Sequence, residues 1–456
     1  MEFRDSPLQR EVDRVFTNGK SQAYYSFRGT IYIDKYQFDI LKILELDIVR
    51  DYYKSNQDYV NLNAVIPGGM YVKRIYPNRD KLKIEIRKVP LGERIDSQDS
   101  TREIESEIYK AVMEESGNPR VEQNEMNTPD ETALNLTNLL TVRFQLFDLT
   151  IEQIRMLQVG GSYRNENQED VLKNILNETA TKISADSDIR AYGVDIVPMK
   201  DKVKRNHVLI PQDTKVIDLP SFIQEKMGLY STGLAQYFQD KYWYVFPKYD
   251  YTRFQSSSLT LTVINVPAKQ MPNVERTYLL EGSDLTILAT GEVKFNDRTV
   301  IDKFNSGNGT RLTRASNVID NFVEVKSNIA KAKRRKTNNE FYTKENYEHK
   351  NYAPISTNNV SDNLFKETSK LAGKDGYYIS FVWQNSIPSY ILPGMMTKIL
   401  YLDEGIVRTV EGCVIKAHHA IHPEEAGMMG NRYLTQSGIT VFIDTKAVDP
   451  ERLYNE

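Results

Sequence analysis

Polar and apolar residues alternate along the segment from Lys81 to Val89. A period of two matches the side-chain repeat of a β-strand that has one buried face and one solvated face. Similar runs, rich in β-branched and aromatic residues, come before it and are separated by turn-forming residues. They are Thr30 to Ile33, Phe38 to Asp51 and Tyr59 to Val65, with breaks at Gly68, Gly69 and Pro77. Residues 1–95 are therefore predicted to form a β-barrel-like domain.

Between residues 96 and 130 the composition becomes polar and acidic, with Asn118-Pro119 and Thr128-Pro129 as breakers. Proline removes a backbone donor and restricts the residue before it, so regular structure is interrupted at such pairs. The segment is predicted to be a polar connector that contains a loop, or a helix from Glu103 to Glu115.

Residues 131–228 carry both strand and helix patterns and are predicted to form a mixed α/β domain. The predicted elements are a strand from Leu139 to Leu149 and helices from Ile151 to Val159, Gln168 to Ile183 and Leu219 to Met227. Glycine often follows the last residue of a helix, so the first helix is expected to end at Gly160-Gly161.

The helix from Gln168 to Ile183 has the clearest signals in this middle segment. Its apolar residues share one face: Val171, Leu172, Ile175 and Leu176. Asn165 or Asn167 can accept from the free N–H groups of its first turn. The third helix is expected to open at Pro220 and to stop at Gly228.

The rest of the chain is predicted as a β-rich domain at 229–326, a basic and asparagine-rich connector or loop at 327–366, and a C-terminal β-barrel-like domain at 367–456. The strand-like runs are Lys241 to Pro247, Leu259 to Val266, Leu285 to Phe295, Tyr378 to Trp383, Met396 to Leu402, Ile406 to Ala417 and Gly438 to Ile443. No fixed-period repeat is present, which argues against solenoids and propellers. The predicted fold class is mainly β with an α/β middle segment (α+β), in several domains.

Composition restricts the classes of function. The 456 residues include 62 acidic and 59 basic side chains, and this balance argues against a protein that binds duplexes by neutralising phosphates. Cys413 is the only cysteine, so intrachain disulfides and cysteine-based zinc sites are excluded. The first residues are charged and lack the apolar run of a secretory signal, so no signal peptide is expected. No stretch has the roughly 18 apolar residues that a transmembrane helix needs, so no such helix is expected. Synthesis in a reducing cytoplasm is expected.

The most site-like cluster is His418, His419 and His422, followed by Glu424 and Glu425. On a helix, His418 and His422 would share a face as two weak candidate metal ligands. The glutamate of a metalloprotease motif is absent, however, and Pro423 ends the segment. A surface loop is the favoured interpretation, so no metal, cofactor or catalytic residue is predicted.

Other motifs are weaker. Gly307 to Arg311 could cradle an anion but lacks the Lys-Ser/Thr of a P-loop, and a turn is favoured. The basic run Lys331 to Lys336 lacks interleaved aromatic residues, so a solvated connector is favoured over a nucleic-acid site. The 28 tyrosines suit half-buried sheet faces and interfaces between proteins.

Several segments resemble tail hub proteins of contractile-tailed bacteriophages. They are Phe38 to Leu41, Asp47 to Tyr52, Asp58 to Leu62, Pro67 to Tyr71, Ile75 to Leu82, Met156 to Arg164, Tyr242 to Arg253, Leu261 to Pro267, Ala289 to Val293, Asn385 to Pro388 and Leu392 to Met395. None of these segments is a catalytic signature.

The resemblance implies a structural, non-enzymatic subunit of the virion baseplate, made in the host bacterial cytoplasm. Such hubs carry two β-barrel modules, and their homotrimer joins a hexameric tail tube to a three-fold central spike. The implied partners are sister copies, the tube protein, the spike and other baseplate proteins. The alternatives are another tail component, such as a tube-end adaptor or receptor-binding protein, and a peptidoglycan hydrolase that uses the histidine cluster.

Overall fold

The computed structural model of the chain describes residues 7–18, 24–91, 105–114, 139–183, 191–199, 204–251, 259–271, 278–294, 311–313, 325–326, 331–335, 340–344, 376–403, 406–425 and 432–444. Strands dominate these residues, and the helices are concentrated in the middle of the chain. The predicted class, mainly β with an α/β middle segment, is confirmed. No described helix has the length and apolar character that crossing a membrane requires.

The strands and helices have the following bounds. The first part of the chain contains α1 (Pro7–Asn18), β1 (Tyr24–Ile33), β2 (Tyr36–Asp39), β3 (Lys42–Asp51), β4 (Tyr59–Pro67), β5 (Lys83–Leu91), β6 (Glu105–Met113) and β7 (Leu139–Asp148). Short helical turns, Gly68–Met70, Tyr71–Ile75 and Tyr76–Lys81, connect β4 to β5. The middle part contains α2 (Leu149–Met156), β8 (Gln158–Glu166), α3 (Gln168–Ile183), β9 (Gly193–Ile196), β10 (Arg205–Lys215), α4 (Leu219–Met227), β11 (Leu234–Gln239) and β12 (Tyr242–Pro247).

The last part contains β13 (Thr260–Asn265), β14 (Tyr278–Glu281), β15 (Asp284–Lys294), β16 (Arg311–Thr313), β17 (Val325–Lys326), β18 (Lys331–Arg335), β19 (Glu340–Lys344), β20 (Gly376–Gln384), β21 (Met396–Asp403), β22 (Ile406–Pro423) and β23 (Tyr433–Asp444). The four strands β16 to β19 form a separate small sheet in the order β16-β19-β18-β17.

The large sheet closes on itself twice. The first barrel is a ring of eight strands in the order β3, β4, β7, β6, β5, β1, β23 and β22. The second barrel is a ring of six strands in the order β21, β13, β15, β20, β23 and β22. Closure removes free edges from a sheet. The antiparallel pair β22–β23, called here the shared strand pair, belongs to both rings.

The shared strand pair changes barrel near Ile415. Residues 406–413 of β22 pair with β21, whereas Lys416 to Ile421 pair with β3. A register shift between Val414 and Lys416 marks the change, as expected for a bulge that bends a strand. Each barrel has its own core: Ile421 and Tyr433 belong to the first, and Val414 and Val441 to the second.

The middle domain has a third core. Helices α2, α3 and α4 pack against the two-stranded ribbon β8–β10 and the sheet β11-β12-β9. The apolar face predicted for α3 is confirmed, and Asn167 caps it by accepting from the N–H of Asp170 at 2.8 Å. Helix α4 ends as predicted at Gly228, whose φ of 73° suits glycine.

Helix α1 packs on the outside of the second barrel. Its buried residues Leu8, Val12 and Val15 contact Ile264 and Leu288. Arg14 pairs with Glu281 at the end of β14. Helix α1 therefore lies against the second barrel, although the next strand along the chain, β1, belongs to the first barrel.

Two sequence predictions of local structure are wrong. The proposed helix or loop from Glu103 to Glu115 is β6, which fills the ring between β5 and β7 and buries Ala111. The predicted run Phe38 to Asp51 is two strands, because the chain turns at Ile40, whose N–H bonds the carbonyl of Gly29 at 2.8 Å. Within the predicted connector, Lys331–Arg335 forms β18.

The predicted helix end at Gly160-Gly161 is also wrong. Helix α2 ends at Met156, and both glycines lie in β8. A Cβ on Gly160 would lie 2.3 Å from the backbone Cα of Gln212 in β10. The close approach of the two strands, not helix termination, explains this glycine.

Candidate functional site

The three histidines of the predicted cluster lie on β22 and not in a loop. The strand runs past its predicted end at Ala417 because it pairs with β23 on one side and β3 on the other. Alternation along a strand places His418 and His422 on the exposed face and His419 in the interior.

This arrangement does not suit a metal ion. A separation of four residues along a strand puts His418 and His422 about 13 Å apart, too far for one ion. The Nε2 atom of His418 lies 3.3 Å from Oδ1 of Asp47, and Glu424 pairs with Arg432 at 2.7 Å. Within the ranges that the structure describes, no group of three or more His, Cys, Asp or Glu side chains could hold a metal.

His419 belongs to a buried polar chain between the barrels. Its Nδ1 lies 2.6 Å from Oγ of Ser437, which lies 2.5 Å from Oγ of Ser386. The amide of Ser386 donates to the carbonyl of Thr435 at 3.0 Å. Burial lowers the pKa of His419 well below its ordinary value, and the charge of Arg50 lowers it further. The imidazole is therefore neutral at pH 7 and serves as part of the packing.

Arg50 is the centre of the contacts between the three cores. Its Nη2 lies 3.1 Å from Oδ2 of Asp58, and its Nη1 donates to the carbonyl of Pro388 at 2.9 Å. The hydroxyl of Tyr237 donates to Oδ1 of Asp58 at 2.8 Å. Arg50 and Asp58 come from the first barrel, Pro388 from the second barrel and Tyr237 from the middle domain. We call this group, with the residues of the next paragraph, the three-way junction.

Two further buried side chains complete the three-way junction. Gln239 donates from Nε2 to the carbonyl of Ile391 at 2.8 Å, and the hydroxyl of Tyr52 donates to Oε1 of Gln239 at 3.2 Å. Tyr52 is fully buried, and burial raises its pKa. Buried polar groups are costly unless they are hydrogen-bonded, so these contacts fix how the three bodies fit together.

The charge of Arg50 is maintained despite its burial. Its side chain is 6% exposed and that of Asp58 is 26% exposed. Burial lowers the pKa of Arg50, but the Asp58 carboxylate and its neighbours more than offset this, and the pKa is raised overall. Burial raises the pKa of Asp58, and the charge of Arg50 and the hydroxyl of Tyr237 oppose this in part. Both nitrogens of the outer guanidinium fork of Arg50 are bonded.

Cys413 lies in the same region and is buried. Its Sγ is 3.4 Å from the hydroxyl of Tyr53, and that hydroxyl accepts from the amide of Tyr249 at 2.8 Å. The thiol is therefore enclosed by packing between the second barrel and the segment after β12.

A cavity of about 430 Å³ adjoins the three-way junction. Much of its apolar lining comes from the first barrel and includes Leu46, Ile48 and Ile421, while Ile387 and Pro388 of the second barrel also line it. Asp240 and Lys241, in the turn between β11 and β12, contribute charges from the middle domain. Lys241 reaches Asp148, the N-cap of α2, at 2.7 Å. Two charged residues of the lining, Arg50 and Lys241, are thus engaged in contacts between domains.

Aromatic and basic side chains are exposed together near the short helical turns after β4. Tyr36 is 57% exposed, Tyr76 51% and Val72 50%. The guanidinium of Arg74 lies 5.2 Å from the ring centre of Tyr36, and that of Arg79 lies 5.1 Å from that of Tyr76. We call this patch the aromatic–basic surface. Tyrosine and arginine are among the residues enriched at the centres of protein interfaces.

The remaining sequence candidates separate into two groups. Gly68 starts the short helical turns and is buried, in agreement with its interpretation as backbone punctuation. Gly307 to Thr310 lie outside the described residues, as does Lys336.

Neither the three-way junction nor the aromatic–basic surface was predicted as a site. The signal for the surface was the run of exposed tyrosine and arginine from Tyr71 to Arg79, whereas the junction joins residues hundreds of positions apart.

Comparison with solved structures gives similarities to a prophage tail protein, a VgrG complex and a virion baseplate. The 43 kDa tail protein of prophage MuSo2 from Shewanella oneidensis has a TM-score of 0.46 and 9% identity, covering 92% of this chain and 99% of that chain. The lidded PdpA–VgrG complex of Francisella has a TM-score of 0.39 and 10% identity, covering 96% and 55%. The p2 virion baseplate in its activated conformation has a TM-score of 0.28 and 8% identity, covering 90% and 98%.

No protein-family model and no curated protein matches the chain. Each of these TM-scores is below 0.5, so the function proposed below rests on the sequence and on the geometry of this chain.

Proposed function

We propose that this chain is a structural subunit of a phage tail baseplate, where three copies form a hub ring between the tail tube and the central spike. Its partners are sister copies, the tube, the spike and other baseplate proteins, and it resides in the virion. The observation that carries the proposal is the fusion of two closed β-barrels through the shared strand pair.

Two barrels in each chain support a change of symmetry. Three copies of a two-barrel subunit place six barrel modules around a three-fold axis, which suits contact with six-fold and three-fold neighbours. This requires the two barrels to hold a constant position relative to each other. The long β22, whose two halves belong to different barrels, provides a continuous covalent and hydrogen-bonded connection between them.

The three-way junction supports the same role. Arg50 and Asp58 tie the first barrel to Pro388 of the second barrel and to Tyr237 of the middle domain. The titratable side chains of the junction bond to one another, as Arg50 and Tyr237 do with Asp58, or to a backbone carbonyl, as Arg50 does with Pro388. Such a network positions domains, and it has the character of a structural connection more than of a catalytic centre.

The aromatic–basic surface is the contact that we assign to association between copies. Exposed Tyr36, Val72 and Tyr76 offer apolar area, and the neighbouring Arg74 and Arg79 offer charge that can pair across an interface. In a ring, one surface of each subunit meets a different surface of the next subunit, and contacts close when the rotation allows.

The test is the oligomeric state of the purified chain, measured by light scattering coupled to size exclusion and by native mass spectrometry. We expect a species of three times the chain mass, and a three-fold ring in electron micrographs. A strict monomer over the accessible concentration range would contradict the ring. A different closed stoichiometry would refute the trimer while leaving a structural role.

The hydrolase alternative has a separate test. A zymogram on peptidoglycan should show no clearing by the purified chain, and His422→Ala should behave like the unmodified protein. Clearing that is lost in His422→Ala would overturn the non-enzymatic assignment, because His422 is exposed and its removal should not unfold the strand.

A further inference from the structure

The cavity of about 430 Å³ beside the three-way junction has the size and the apolar surface of a small-molecule site. Aliphatic side chains of the first barrel form one part of its lining: Leu46, Ile48, Val60, Ile86 and Ile421. Barrels of eight strands can hold one small ligand, and ligand sites are mostly apolar with a few polar groups. The cavity can therefore take the apolar body of a small molecule.

Aromatic rings form a second part of the lining, and they belong to Tyr25, Phe27, Tyr109, Tyr192 and Tyr433. Tyr192 is 62% exposed, so the cavity reaches the surface of the protein. The face of an aromatic ring attracts organic cations, because the ring quadrupole is negative there. One ring of the lining already holds an ammonium group, since Nζ of Lys88 lies 4.2 Å from the ring centre of Tyr25.

Two carboxylates line the cavity without a cation of their own. Glu107 lies on β6, and Asp240 lies in the turn between β11 and β12. The hydroxyl of Tyr109 donates to Oε2 of Glu107, and Nε2 of Gln239 donates to Oδ2 of Asp240 at 3.0 Å. Among the residues that the structure describes, neither carboxylate belongs to an ion pair. These neutral donors leave both negative charges in place.

The cations of the lining are paired with other groups. Arg50 lies 3.1 Å from Asp58, and Lys241 lies 2.7 Å from Asp148. Their charges also act on the two carboxylates, but two cations do not balance four acids. When Lys88 is included, the lining and these partners carry three positive and four negative charges. The excess is negative and lies next to an apolar space.

We propose that this cavity binds an organic cation, an ammonium group carried on an apolar body. The apolar body would contact the aliphatic side chains, and the ammonium would lie near Glu107 and Asp240 and against the ring of Tyr192. An anion would be repelled by the two carboxylates, and a neutral molecule would leave them without a counter-charge. This proposal is independent of the proposed function.

The experiment titrates the full chain with hexylamine at neutral pH by isothermal titration calorimetry. Hexanol and hexanoate are the neutral and anionic probes with the same hydrocarbon body. We expect saturable binding of hexylamine at one site per chain, and binding about tenfold weaker or more for the other two probes. Absence of hexylamine binding would overturn the proposal, and so would hexanol or hexanoate binding as tightly as hexylamine.

Two variants remove one charge each and keep the size of the side chain. We expect Glu107→Gln and Asp240→Asn each to bind hexylamine about fivefold to tenfold more weakly. Asp240 has a φ of 51°, which asparagine also adopts, so this variant should fold. Glu45→Gln is the matched control, because Glu45 is exposed on β3 and lies outside the lining. Unchanged affinity in both cavity variants contradicts the site, as does an equal loss in the control.

Tyr192→Leu tests the aromatic part of the site. We expect about threefold weaker binding of hexylamine or more, because the ring contact with the ammonium is lost. Tyr59→Leu is the control, since Tyr59 is 44% exposed on the same barrel and lies outside the lining. Equal affinities of the two variants would refute the role of the ring.

A further probe distinguishes two sources of the ammonium. Nα-acetyl-lysine methylamide carries the group on a side chain attached to a peptide backbone. Binding of this probe as well as hexylamine supports a site for a lysine side chain of a partner protein. Binding of hexylamine alone supports a site for a free amine.

Discussion

Arg50 and Asp58 form an ion pair in which Nη2 lies 3.1 Å from Oδ2, with the arginine almost completely enclosed. The two residues are eight positions apart, at the end of β3 and just before β4, so the loop between these strands brings them together. The same guanidinium bonds the carbonyl of Pro388, 338 positions away. One arginine therefore carries a local contact and a contact between barrels.

Removing the acid of this pair should destabilise the protein strongly. Asp58→Asn leaves Arg50 charged and enclosed, and we expect a loss of about 2–4 kcal/mol in the free energy of unfolding, reduced by the partial exposure of Asp58. Urea unfolding of Asp58→Asn and of the unmodified chain measures this loss. Lys81→Gln breaks an exposed pair with Asp34 and should cost less than about 1 kcal/mol. Similar values for the two variants would show that the pair contributes no more than a surface pair.

His419 should make stability depend on pH. Its pKa in the folded state is lowered by burial, so the folded state takes up fewer protons than the unfolded state below the ordinary pKa of about 6.5. The neutral His419 therefore contributes fully to the free energy of unfolding above pH 6.5. This contribution decreases as pH falls, by up to about 1.4 kcal/mol per pH unit.

The measurement compares unfolding free energies from pH 7 to pH 5 in the unmodified chain and in His419→Asn, which keeps a polar atom near Ser437. We expect the unfolding free energy of His419→Asn to depend less steeply on pH than that of the unmodified chain. His418→Asn, on the exposed face of the same strand, is the control and should keep the steeper dependence. An unchanged slope in His419→Asn would refute the role of the buried imidazole.

Two glycines of the shared strand pair should respond in opposite ways to the same substitution. A Cβ on Gly412 would lie 2.3 Å from the carbonyl oxygen of Phe442, whereas on Gly438 the nearest atom would be 4.0 Å away. We expect Gly412→Ala to cost about 1–3 kcal/mol or more, because the backbones must separate. Gly438→Ala should be neutral or slightly stabilising, since alanine restricts the unfolded chain. Thermal unfolding of both variants provides the test.

The aromatic–basic surface should matter for association and little for folding. In Tyr36→Ser/Tyr76→Ser, the loss of two exposed cation–π contacts should change the unfolding free energy by less than about 2 kcal/mol. Association between copies should weaken at least tenfold, as expected for residues near the centre of an interface. Ile406→Ser removes a similarly exposed apolar side chain from β22 and is the control. Equal weakening by both changes would place the interface elsewhere.

Much of the secondary structure could be predicted from the sequence because its signals are local. The alternation around Ile84 and Ile86 and the apolar face of α3 each depend on a few neighbouring residues. Where local signals conflicted with pairing, the prediction failed. The acidic residues of β6 suggested a helix or loop, yet the strand is held by both of its neighbours in the ring.

The ring connections and the three-way junction could not be predicted in this way. Tyr433 bonds the carbonyl of Ile43 at 2.8 Å, although 390 positions separate them. Nothing in the composition near either residue identifies the other. Helix α1 is a different case, since the spacing of Leu8, Val12 and Val15 carries a helical period that was available in the sequence.

The shared strand pair also determines when the first barrel can be completed during translation. Strands β1 and β3 are made early, but the two strands that join them into a ring span residues 406–444. Until those residues leave the ribosome, β1 and β3 keep exposed backbone edges, which are templates for wrong pairing. Neither barrel can therefore close on a nascent chain that lacks β23, and truncated products would lack both finished barrels.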